Sequence, residues 1–220
     1  MYRKTITLCF ILLFVLLITS VAGASDSIEK PKSAEEVQTL LIAAQNGDIN
    51  AAEKILSLDA FNKEKVDEVL KGVKVDGKEG SREFKFSDGS SICITVGSLG
   101  TNQLMESSEP VQPDTVHITN YGLHQWRAFG IEIARYIIRC KFRPDPGLNY
   151  CTHVDNWDEA QAAPGYTPCA NGTYLEGPEF GHNLYIRGSG GFSSIAGSGE
   201  IRSFRFCCDC YQDFCYIEML

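Results

Sequence analysis

The chain has 220 residues, with 28 acidic against 20 basic side chains and a formal charge of −8. That balance tells against nucleic acid and anionic lipid surfaces as partners, because both need a positive face to replace counterions. Nine cysteines pose the first structural question, whether they hold a metal or bridge one another.

Residues 1–24 begin with Arg3 and Lys4, run through an apolar stretch from Ile6 to Ile18 and end in Ala22-Gly23-Ala24. This is the pattern of a secretory signal peptide, with cleavage predicted after Ala24. An uncleaved anchor is the competing reading, since a spanning helix needs about 20 apolar residues. Small polar residues break the run, and nothing basic follows to stop transfer, which favours cleavage. Cys9 lies inside the run, far from the cleavage site, so a lipid-modified N-terminal cysteine is not expected. Cleavage removes Arg3, Lys4 and Cys9 and no acid, leaving eight cysteines and a formal charge of about −10. The protein is therefore expected to be secreted or held at the cell surface, with no membrane span after cleavage. An even number of cysteines outside the cell reads as a disulfide framework.

Residues 25–80 read as a small helical segment. Val37, Leu40, Leu41 and Ala44, then Ile55 and Leu56, then Val66, Val69 and Leu70 recur at helical spacing. Ser33 with Glu36 forms a capping-box start, Asn46-Gly47-Asp48 stops one helix, and Asp59 can cap a third. AAQNGDINAAEKIL (43–56) looks like a unit of a helical-hairpin repeat, but it occurs once, and a solenoid needs about three stacked units.

From residue 81 onward glycine, serine and aromatics replace the helix formers. EFKFSDGSSICITV (83–96) predicts a hairpin turning at Asp88-Gly89. IEIARYIIRCKF (131–142) alternates Ala134, Tyr136, Ile138, Cys140 and Phe142 against Arg135, Arg139 and Lys141, a half-buried strand. A helix from Trp126 would also align Phe129, Ile133, Ile137 and Cys140; Gly130 and the isoleucine density favour the strand. Shorter strands are expected at 183–188, 199–208 and 214–220, and residues 106–114 form an exposed Pro- and acid-rich loop. Residues 143–181 read as a long irregular loop. The expectation is an α+β protein: a short N-terminal helical segment, then a disulfide-stapled antiparallel β-sandwich over 81–220.

The cluster FRFCCDCYQDFC (204–215) lacks the paired C-x2-C spacing of zinc sites, and no metal or cofactor is predicted. In an extended chain Phe204, Phe206, Cys208 and Cys210 share one face, while Ile201, Arg205 and Cys207 take the other. Cys208 then faces the core, where Cys140 could meet it. Cys151 with Cys169, Cys210 with Cys215 and Cys93 with Cys207 complete one possible set of pairs, although bridge geometry cannot be read from spacing.

His153, Asp155, Trp157 and Asp158 form the candidate binding cluster, with Glu159 beside them. Carboxylates so spaced can take calcium, and a histidine among them could serve as ligand or base; Trp157 with Tyr150 and Tyr166 could instead offer an aromatic binding face. The plainer reading is a solvated acidic stretch with rings packed beneath it. No nucleophile motif is present, so no catalytic residue is assigned. Asn171-Gly172-Thr173 fits the N-glycosylation acceptor pattern.

The C-terminal third, with a strand ending FRFC (204–207), the turn C-x-C-Y-Q (208–212) and a final strand, resembles small secreted β-rich microbial proteins of no assigned function. NYGLHQWRAFG (120–130) is similar in character. This resemblance implies a β-rich secreted fold and carries over no site residue. The functional expectation is a non-catalytic extracellular binding or structural module whose ligand is a protein, peptide or glycan. A secreted hydrolase with its site on residues 145–181, or a secreted toxin or antimicrobial effector, are the alternatives.

Overall fold

The computed structural model describes residues 28–77, 79–101, 117–145, 147–148, 150–195, 197–209 and 214–219. The signal segment and Cys210 lie outside them. Among the described residues no helix is long and apolar enough to cross a membrane.

Among the described residues three α-helices come first: α1 (Ala34–Gln45), α2 (Ile49–Leu56) and α3 (Lys63–Leu70). Each starts where a side chain accepts a hydrogen bond from a first-turn amide that has no helical partner. Ser33 caps α1 through Glu36 N at 3.2 Å, and Asp48 caps α2 through Ala51 N at 3.2 Å. The cap of α3 is Asn62, through Lys65 N at 3.1 Å, rather than the expected Asp59. Asp59 instead opens a single 3-10 turn, Asp59–Phe61, and is buried with its carboxylate paired to Lys30 and Lys65. Lys30 also reaches Asp88 at 2.8 Å, so the chain ahead of α1 is tied to the turn at Asp88-Gly89.

Among the described residues eleven strands form two antiparallel sheets. One has the order β1 (Lys74–Asp76), β11 (Phe214–Met219), β10 (Gly199–Asp209), β9 (Asn183–Ser194), β7 (Tyr166–Leu175). The other runs β2 (Ser81–Lys85), β3 (Ser90–Thr101), β4 (Ile118–Ala128), β5 (Ile131–Asp145), β6 (Tyr150–Ala162), β8 (Phe180–Gly181). The chain is thus α+β, with the hairpin at Asp88-Gly89 and the strand at 131–142 where sequence places them. Residues 143–181 depart from expectation: the stretch read as an irregular loop is mostly β6 and β7. Its polar, weakly alternating composition conceals strands that pair on polar faces.

Side chains from both sheets meet in one core that the helices share. Tyr136 stacks on Phe204 with centroids 5.4 Å apart, and Trp126 meets Phe192 edge-on at 5.4 Å. β9 comes close enough to β5 only because it carries glycine: a Cβ on Gly190 would fall 2.1 Å from Tyr136 Cδ2. At the β6–β7 turn Gly165, with φ +90°, lies under Ala44 of α1, where a Cβ would stand 2.7 Å from that alanine's own. Val37, Ala44, Ala52, Ile55 and Val66 consequently belong to the same core as Ile92, Phe192 and Phe206.

The cysteines follow the strand faces. Cys93, Cys140, Cys169, Cys207, Cys208 and Cys215 carry thiols, Cys151 being the exception among the described cysteines. Cys208 hydrogen-bonds to Cys140 across the two sheets and stands opposite Cys215 on the neighbouring strand. Two of the other expected pairs do not form. Cys93 lies beside Ser81 on the outer side of one sheet, and Cys207 beside Asn183 on the outer side of the other. Cys151 is buried next to Gly181, whereas Cys169 lies near Ser193 on the outer face of the five-stranded sheet. The fourth pair involves Cys210, outside the described residues; its expected partner Cys215 is a thiol.

Candidate functional site

Strand geometry separates the residues that sequence grouped together. His153, Asp155, Trp157 and Asp158 all lie on β6, whose register places His153 opposite Phe142, Asp155 opposite Lys141, Trp157 opposite Arg139 and Asp158 opposite Ile138. A register shift between Lys141 and Phe142 leaves His153 and Asp158 on the inner face, Asp155 and Trp157 on the outer. His153 Nε2 lies 2.7 Å from Asn156 Oδ1, and Asn156 Nδ2 donates to Thr173 Oγ1 at 2.7 Å. Asp158 Oδ2 accepts from Tyr136 Oη at 2.9 Å and from Gly172 N at 3.0 Å. Burial, with the Asp158 carboxylate adding to it, raises the Tyr136 phenol pKa and keeps its proton in place. These contacts clamp β6 to β7, so the inner half of the cluster is committed to holding two strands together. Asp155 Oδ1 accepts from the Asn156 amide at 2.8 Å. Among the described residues no three metal-ligating side chains converge.

Two recesses instead lie on the outer face of the five-stranded sheet, each of about 470 Å³, within the usual size of ligand sites. The first is lined by Lys63, Asp67, Lys71, Ile201, Arg202 and Ser203. The second is lined by Asn171, Thr173, Tyr174, Arg187, Ser189 and Ser203. Ser203 lines both, so the two recesses adjoin, and together they are termed the groove. It exists because β11 pairs with β10 only from Phe204 onward, leaving the 199–203 stretch of β10 open towards the end of α3. On its other flank β7 bulges between Ala170 and Thr173, where Gly172 has φ +89°. Asn171, the glycosylation candidate, is exposed on that bulge.

Charge in the groove is uneven. Arg202, only 7 % exposed, is matched by Glu200 and Asp67, and its Nη2 donates to Lys63 O at 3.1 Å. Arg205, next along β10 on the same face as Ser203, is held bidentately by Glu176 at 2.8 and 3.1 Å and approached by Glu218 at 3.6 Å. Arg187 stands directly across from Arg205, with the nearby glutamates committed to Arg205. Among the described residues Lys63, Lys71 and Arg187 form no ion pair. The groove thus offers Lys63, Lys71 and Arg187, whose charge also bears on Glu176, beside hydroxyl and amide groups, with Tyr174 at its rim, 54 % exposed.

Sequence reasoning missed this surface. Arg187 and Ser189, and Ser203 and Arg205, alternate with buried partners on their strands, a pattern that marks them as outward-facing; what no spacing reveals is that β7, β9, β10 and α3 bring them together. No family model, curated protein or solved structure matches the chain.

Proposed function

We propose that the protein is an exported, non-catalytic binding module: residues 1–24 direct it out of the cell, and a disulfide-stapled antiparallel β-sandwich presents a ligand-binding face. The observation that carries this reading is the groove, a recess whose hydrogen-bonding side chains on β7, β9 and β10 are held by the pairing of those strands. Rigid placement of polar groups on a sheet is what selective binding needs, because little side-chain order is lost when the ligand arrives. Supporting the staple, Cys140 and Cys208 already touch across the sheets, and an oxidising compartment would join them. Glycosylation at Asn171 would follow only in a host that modifies such sites.

The test is binding by the purified mature protein to arrayed oligosaccharides and peptides, repeated with a His153→Ala, Asp155→Ala double variant. Saturable, reversible binding unchanged in the double variant is expected. Binding lost in that variant, or ligand turned over by the parent and not by the variant, would overturn the reading.

A further inference from the structure

Resting on the reading of the groove as a binding site, we infer that its ligand is a linear acidic saccharide, a carboxylate-bearing glycan lying across both recesses past Ser203. Three features of the groove converge on this class. The first is charge: the molecule as a whole is acidic, yet Lys63, Lys71 and Arg187 are gathered around the groove, and Arg202 beneath them is already neutralised by Glu200 and Asp67. Local cations on an acidic protein draw anionic ligands to that place and repel them elsewhere. The second is the lining. Ser189 and Ser203 offer hydroxyls and Asn171 an amide, groups that both donate and accept and so match the dense hydroxyls of sugars. The third is shape and surface: Tyr174 and Ile201, 54 % and 52 % exposed, stand one in each recess and offer apolar faces on which the C–H side of a sugar ring can rest.

Arg187 is the specificity residue. Its guanidinium can hold a carboxylate by two parallel hydrogen bonds, which an ammonium cannot do. Lys63 and Lys71 act at the other recess as point charges. An acidic peptide would supply the carboxylates but not the ring hydroxyls that the two serines and the asparagine suit.

The test is calorimetric titration of the mature protein, made in a host that does not glycosylate, with an oligogalacturonate octamer, malto-octaose and oligoglutamate. Oligogalacturonate is expected to bind, more weakly as salt rises, with affinity falling at least tenfold in Arg187→Ala and by less in Arg187→Lys. Lys63→Ala and Lys71→Ala should each weaken binding a few-fold and flatten the salt dependence. Unchanged melting curves confirm that these surface variants fold. Equal binding of malto-octaose overturns the acidic class while leaving a saccharide-binding groove. Equal binding of oligoglutamate overturns the saccharide class while leaving a binding module. No affinity for oligogalacturonate, or affinity indifferent to Arg187→Ala, overturns the inference itself.

Discussion

Single residues in the core show what the groove's rigidity costs. His124 is fully buried between Trp126, 4.2 Å away, and Phe204, 5.1 Å away, and neither ring nitrogen has a hydrogen-bond partner among the described residues. Burial, reinforced by the Arg202 charge, pushes its pKa well below the ordinary value. The unfolded chain therefore binds a proton near pH 6.5 that the folded chain refuses, so stability falls as pH drops below that value, by about 1.4 kcal/mol per pH unit from this group. Glu200, raised by burial, acts with the opposite sign, losing stability as pH rises above its ordinary range. The difference between parent and His124→Leu isolates the histidine: urea midpoints at pH 7.5 and 5.5 should separate widely in the parent and less in the variant. Gly190 gives a second case. With Tyr136 Cδ2 only 2.1 Å from where a Cβ would stand, Gly190→Ala must part β5 from β9, an overpacking cost of about 1–3 kcal/mol, visible as a lower melting temperature.

Elements are held to one another by a few buried polar links. Arg202 on β10 reaches Asp67 on α3 and Glu200 on its own strand, and is itself buried. Removing the guanidinium would strand the Glu200 carboxylate, so Arg202→Ala should cost about 3–5 kcal/mol, and Arg202→Met paired with Glu200→Gln much less; urea denaturation of the two variants decides it. At this scale the sequence was legible where one face is apolar and the other polar. Helices α1 to α3, the hairpin at Asp88-Gly89 and β5 are all such cases, since alternating burial is written directly into residue type. It was illegible over 143–181, where Asp158, Asn156 and Thr173 bond inward, and polar residues on both faces leave no periodicity to read. The division of His153 and Asp158 from Asp155 and Trp157 has the same root: proximity in a loop becomes opposition in a strand.

At the scale of the molecule, two sheets and three helices share one core, and the thiols of Cys140 and Cys208 meet within it. Peptide mapping of the mature protein after mild oxidation should recover these two cysteines in one linked pair, and Cys140→Ser should lower the melting temperature of the oxidised protein while leaving the reduced protein nearly unchanged. Cys169, partly exposed on the outer face of the five-stranded sheet, should remain reactive towards thiol reagents once the first pair has closed, whereas buried Cys93 should react only on unfolding. The groove was beyond sequence because its parts lie far apart in the chain: Lys63 and Lys71 flank α3, Arg187 sits on β9, and Ser203 joins the recesses only through the open stretch of β10. The central claim is that the outer face of the five-stranded sheet is the working surface and the rest is scaffold. Amide hydrogen exchange of the mature protein, with and without oligogalacturonate, tests it most directly. Added protection over 171–174, 187–189 and 201–203 is predicted; protection centred on His153 to Asp158, with none in the groove, would contradict it.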